Sequence, residues 1–333
     1  MSETLRPMTL GDILDRTIQL YRRNFVSFAG IAAVPTVVIL AFMVPLLAAV
    51  GTLGVFHRKA APLNGALLAA IVAGSMIFAI VILVATVVSQ AALIRAVTGA
   101  HTGQRLSIGE ALGSVRPHFG RYLGVLFLQG IWVGLIPAVI AGVVLGVVFA
   151  LARAAGGGAG SIGLAGFAAF LIVAAAIVII VLRGLTYSLA LPACIAETKP
   201  AWESLQRSKK LSKGTRGRIF LMFLLIWVVA MALSTGGYIV MLIVMAAAAL
   251  LGKGGVGGII AIVAGEIINL LVNFALQVLI TPVYMAALVL FYYDQRIRME
   301  GYDIEWMMER AGLTVAQPEI ASGAAADAET MNG

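Results

Sequence analysis

The chain has 333 residues, of which 61% are hydrophobic and only 11% charged, against about a quarter charged in an ordinary soluble domain. A water-soluble fold of this size could not hide so much apolar surface in one core, so the bilayer is the solvent that fits. The net charge of +8 lies in short stretches flanking apolar runs, which points to topology determinants and contacts with anionic lipid headgroups, not to nucleic acid.

The chain opens with a polar, amphipathic stretch. Thr9 and Asp12 have capping-box spacing, and Leu10, Ile13, Leu14, Ile18, Tyr21 and Phe25 then follow helical spacing with charged residues opposite. Such a helix is expected to lie along the cytoplasmic headgroups. No cleaved signal peptide is expected, because the first apolar run is too long for one.

A hydrocarbon core about 30 Å thick takes roughly 20 apolar residues. Six runs qualify: 25–50, 66–94, 122–151, 162–191, 219–251 and 256–292. Pro35, Pro45, Pro137 and Pro282 are the expected kink points. Between the runs, 18 of the 23 Lys and Arg residues fall in the N-terminus, the second and fourth loops and the C-terminal tail. The first, third and fifth loops hold Arg58, Lys59, Arg153 and Lys253, and Arg183 lies within the fourth span. Positive charge stays on the cytoplasmic side, so both ends of the chain are expected there.

The pattern also repeats. Leu10-Gly11-Asp12-Ile13-Leu14 resembles Ile108-Gly109-Glu110-Ala111-Leu112, and Ala201-Trp202-Glu203-Ser204-Leu205 is a weaker third copy. Ser107 and Glu110 repeat the capping-box spacing, and Pro200 suits a first helical turn. The expectation is an all-α integral membrane domain over 1–312, made of three units (9–95, 107–191 and 200–292). Each unit is an interfacial helix followed by two spans. A further interfacial helix at 303–310 and a disordered tail at 313–333 follow.

The two ends of the chain carry specific motifs. Leu5-Arg6-Pro7-Met8-Thr9-Leu10-Gly11-Asp12-Ile13-Leu14-Asp15-Arg16, with Leu20-Tyr21-Arg22-Arg23-Asn24-Phe25, resembles the start of the bacterial family named for the membrane domain of glycerophosphoryl diester phosphodiesterases. Pro282, then Phe291-Tyr292-Tyr293-Asp294-Gln295-Arg296-Ile297-Arg298-Met299-Glu300-Gly301-Tyr302-Asp303, resembles its far end. Between the ends only the hydropathy is similar. The resemblance implies a stand-alone membrane domain in the bacterial inner membrane. In two-part members hydrolysis belongs to a separate barrel with a His-Arg-Gly motif, and none of His57, His101 and His118 is followed by Arg-Gly.

Within the spans, Glu266, Asn269, Asn273 and Gln277 occur at i, i+3, i+7 and i+11, one polar stripe on the sixth span. A charge at the bilayer centre costs roughly 2.5–3.5 kcal/mol, so such a stripe should face protein or water. It lines a polar cavity or hydrogen-bonds neighbouring helices. Arg183 lies about 12 Å from the cytoplasmic end of its span, where it snorkels or meets Asn273 or Gln277. Gly120/Gly124, Gly130/Gly134 and Gly142/Gly146 mark the third span as a packing centre. Tyr292, Tyr293, Tyr302 and Trp306 read as an aromatic belt, and the histidines as solvated or interfacial. Cys194 reads as a small apolar residue. No catalytic set, cofactor motif or metal-ligand spacing stands out. Two readings stay open: a non-enzymatic, lipid-associated accessory module with a possible protein partner, and a permease using the sixth-span stripe for a polar solute or lipid headgroup.

Overall fold

The computed structural model describes residues 8–56, 65–104, 106–251 and 256–301. The expected helix at 303–310, the tail at 313–333, Tyr302, Trp306 and His57 lie outside these residues. So do Arg6, Arg58, Lys59, Arg105, Lys253 and Arg310 of the charge pattern.

The described residues form helices and no strand, as hydrocarbon demands of a backbone that must satisfy its own polar groups. In chain order they are α1 (Leu10–Arg23), α2 (Phe25–Phe56), α3 (Gly65–Thr102), α4 (Ile108–Gly113) and α5 (Phe119–Gly130). A π-helical turn (Ile131–Leu135) joins α5 to α6 (Ile136–Ala154). The remainder are α7 (Ala159–Tyr187), α8 (Ala190–Ala196), α9 (Ala201–Leu211), α10 (Arg216–Leu251) and α11 (Val256–Glu300). Six stretches are long and apolar enough to span: α2, α3, α4 through α6, α7 with α8, α10 and α11. The protein is an all-α, multi-pass membrane protein.

Local chemistry starts the short helices. The Asp12 N–H donates to Thr9 Oγ1 while the Asp12 carboxylate accepts the Thr9 N–H at 2.9 Å, and Ser107 and Glu110 repeat the box at α4. Pro200 is the N-cap of α9, one position before the first-turn site expected for it. These helices turn apolar faces into the protein. Ile13, Thr17 and Leu20 of α1 are buried, as are Leu205 and Leu211 of α9. Serines of α9 also repair the break between α7 and α8. Ser208 Oγ donates to the Thr186 carbonyl at 2.8 Å and accepts the Leu189 N–H at 3.1 Å, and Ser212 Oγ donates to the same carbonyl.

The core is gathered at one end of the bundle. It draws on the start of α2 (Phe28, Ile31), the end of α3 (Leu93, Val97), the start of α5 (Tyr122), α8, the start of α10 (Ile219) and the end of α11 (Leu290, Phe291). α11 is its axis, packing on α10, α2, α1 and α3. Toward the other end, residues such as Ile140, Phe170 and Val229 are exposed on the protein surface. Lipid tails solvate them as well as protein would, so no force drives them inward.

Two expectations are corrected here. The third-span glycines are not a packing centre: a Cβ on five of the six would meet nothing within 4 Å, and only Gly124 comes near a neighbour, the Cβ of Ala201. Among the described glycines the tight approaches are instead at Gly30 of α2, where a Cβ would lie 2.5 Å from Ile108 of α4, and at Gly237 of α10, where it would lie 2.7 Å from Val272 of α11. Tyr292 and Tyr293 are not a belt either. Both are buried, because the end of α11 runs through the core and not along the headgroups.

Candidate functional site

The two terminal motifs meet in space. Asp294, on the last turns of α11, is fully buried. Its carboxylate accepts the Met8 N–H at 2.8 Å, Arg298 Nε at 2.9 Å and Arg218 Nη1 at 3.3 Å. Both arginines also donate to the Met8 carbonyl. A buried carboxylate is tolerable only when paired and hydrogen-bonded in this way. Leu10 and Leu14 pack against the core beneath the clamp, Asp12 caps α1 with exposed Gly11 beside it, and Gly301 ends α11 with φ +64, a conformation suited to glycine.

A second polar knot lies beside the first. Glu197 accepts Tyr292 Oη at 2.7 Å and Arg207 Nε at 2.8 Å, and pairs with Lys199 at 2.9 Å. Arg207 also pairs with Glu300, which Arg296 reaches at 3.4 Å. Burial pushes the Glu197 carboxyl up, but bonds from Tyr292, Lys199 and Arg207 outweigh it and hold the group below its ordinary range. Burial likewise opposes the Arg207 charge, and Glu300 and Glu197 override it, raising that guanidinium further. These knots tie α1, α9, α10 and α11 into one plate. They do not resemble a reactive centre, since every carboxylate in them is neutralised.

Within the membrane-spanning part, α3, α5, α7, α10 and α11 surround a partly open cavity of about 850 Å³. Its walls are aliphatic and aromatic, among them Leu185, Phe223, Ile226, Trp227 and Met285. Into it come Gln90 from α3, Gln129 from α5 and Gln277 from α11, with Ser188, Thr281 and Tyr284. None of the three amides has a hydrogen-bond partner among the described residues. An apolar space with a few convergent polar groups is the usual form of a small-molecule site.

The expected intramembrane stripe divides. Gln277 lines the cavity, whereas Asn273 Nδ2 donates to the carbonyl and side chain of Asn269 in its own helix, at 2.8 and 2.7 Å. Glu266 is half-buried, with no partner among the described residues. Arg183 neither snorkels nor joins the stripe. Its Nη1 donates to the Trp132 carbonyl at 2.9 Å, with the guanidinium 6.0 Å from the Trp132 ring centre. Of the described histidines, both half-buried, the ring of His101 packs 5.3 Å from that of Tyr293, and His118 lies against Tyr122. Cys194 is buried in α8. Gln90 and Gln129 were legible in principle, each being the only amide in its apolar run. Among the described residues no group of three His, Cys, Asp or Glu side chains could hold a metal ion.

Comparisons with protein-family models, characterised proteins and solved structures found no match to the chain. The fold and the cavity define its class: a multi-pass, all-α membrane protein with an amphiphile-sized space inside its bundle.

Proposed function

We propose that the chain is a non-enzymatic, lipid-associated module of the bacterial cytoplasmic membrane that holds one amphiphilic molecule in the cavity beneath its cytoplasmic plate. The observation that carries this reading is the convergence of Gln90, Gln129 and Gln277, all without a hydrogen-bond partner among the described residues, on a space walled mostly by apolar side chains. These amides face a largely apolar space, and the polar head of a bound amphiphile would supply the partners they lack. A cavity of about 850 Å³ falls in the size range of ligand sites. The Lys and Arg bias supports cytoplasmic ends, and the resemblance of the two terminal motifs to a phosphodiesterase-associated membrane domain supports an accessory role. The permease alternative is weaker, because the sixth-span stripe supplies the cavity with one residue and does not run on as a lining.

Native mass spectrometry of the gently extracted protein tests the reading. The wild type should retain one amphiphile, and Ala230→Phe, which fills the cavity, should release it without lowering the melting temperature by more than a few degrees. Bare wild-type protein, or a ligand that Ala230→Phe leaves in place, would defeat it.

A further inference from the structure

A second space adjoins the cavity. Between α7 and α10 runs an apolar groove of about 400 Å³, lined by Ile177, Val178, Leu182 and Phe220 and ending at Arg216. Val181, Leu185 and Phe220 line both spaces and form the wall they share. Along α7, Ile177 and Leu185 are eight residues apart, about 12 Å, so the groove follows the bilayer normal for much of one leaflet. α7 packs less extensively on α10 than on α6.

The end of the groove has its own chemistry. Arg216 opens α10, is exposed, and has no acidic partner among the described residues. Arg218, two residues on, is committed to Asp294 and Met8. Arg216 stands at the end of the bundle that carries the short helices, where a span meets the headgroup layer. An apolar groove open to hydrocarbon is filled by an acyl chain, and an uncommitted guanidinium at its polar end favours a negatively charged headgroup.

We infer that the α7–α10 groove is the lateral entrance to the cavity and takes an anionic phospholipid. The acyl chain lies along Leu182 and Phe220, the phosphate sits at Arg216, and passage inward goes by Val181, Leu185 and Phe220. The inference rests on the cavity reading above, since it supplies the class of amphiphile and its route.

Delipidated protein equilibrated with equal amounts of phosphatidylglycerol and phosphatidylcholine, then read by native mass spectrometry, tests it. The wild type should retain phosphatidylglycerol over phosphatidylcholine by about fivefold, the worth of one basic side chain near the headgroups. Arg216→Gln should abolish the preference at unchanged total lipid, Arg216→Lys should keep it, and Arg216→Glu should reverse it. Val181→Phe should slow exchange of the retained lipid against a labelled one by several-fold. A preference that survives Arg216→Gln, or an exchange rate indifferent to Val181→Phe, overturns the entrance. The cavity reading would still stand in that case if Ala230→Phe expels the lipid. Wild-type protein that retains no phospholipid overturns both.

Discussion

Arg183 of α7 supplies the Trp132 carbonyl with a hydrogen bond its own helix cannot make. In the π-helical turn the Ile136 N–H is taken by Ile131, and in that register the partner of Trp132 is residue 137. Residue 137 is proline and has no N–H to give. The guanidinium fills the vacancy at 2.9 Å. A charge within a span, which first suggests a ligand site, here repairs a backbone.

Removing that repair should be costly only while Pro137 is present. Arg183→Met should destabilise the detergent-solubilised protein by about 1–3 kcal/mol, the cost of a buried carbonyl left unsatisfied. In a Pro137→Ala background, which restores an N–H, the same change should cost clearly less, with a coupling of roughly 1 kcal/mol or more. Additive losses in thermal or denaturant unfolding would show that the two residues act separately.

The clamp at Asp294 predicts an order of severity. Replacing Arg218 and Arg298 together by Met leaves a buried, unpaired carboxylate and should cost about 3–5 kcal/mol. Asp294→Asn removes the charge itself, keeps an acceptor for the Met8 N–H, and leaves two arginines that reach water. It should therefore cost less, about 1–3 kcal/mol. The opposite order in equilibrium unfolding would place the stabilising charge elsewhere.

Acid should loosen the second knot. The folded Glu197 carboxyl is held below its ordinary range, so folding favours its ionised form. Its contribution is complete above the unfolded glutamate value of about 4.3 and is lost as pH falls through the lower folded value. The melting temperature should drop as pH is taken down through that window. Glu197→Gln should be less stable than wild type at neutral pH and show a shallower acid limb. Parallel pH profiles for the two proteins would remove Glu197 from the acid response.

Gly237 should tolerate no side chain while Val272 faces it. A Cβ would come within 2.7 Å of a β-branched side chain with little freedom to turn aside. Gly237→Ala should cost about 1–3 kcal/mol, and Val272→Ala should recover much of it. A silent Gly237→Ala in thermal unfolding would mean that the two helices separate freely.

The spans and the capping boxes were readable because both are local. Hydropathy over some twenty residues and a Ser or Thr three positions before an acid need no knowledge of the partner. The polar knots were not, because their members are far apart in sequence: Glu197 with Tyr292, Arg207 with Glu300. Tyr292 and Tyr293 looked interfacial because they border the charged end of a long apolar run, and only the packing of α2, α3 and α10 around α11 makes that position interior. The stripe on the sixth span followed helical periodicity, but spacing says nothing about which neighbour a face meets. Three lone amides from separate helices meet where a four-residue stripe was expected to act.

The bond from the Met8 N–H to Asp294, across 286 positions of chain, also orders events during synthesis. Five of the six spans have entered the bilayer before the residue that anchors the first helix is made. Until α11 arrives, α1 has lost its principal docking partner, and its buried face of Ile13 and Leu20 must wait in another setting. The last span is thus the latch of assembly: a chain stopped before Asp294 would hold its spans in the membrane with its amino end undocked.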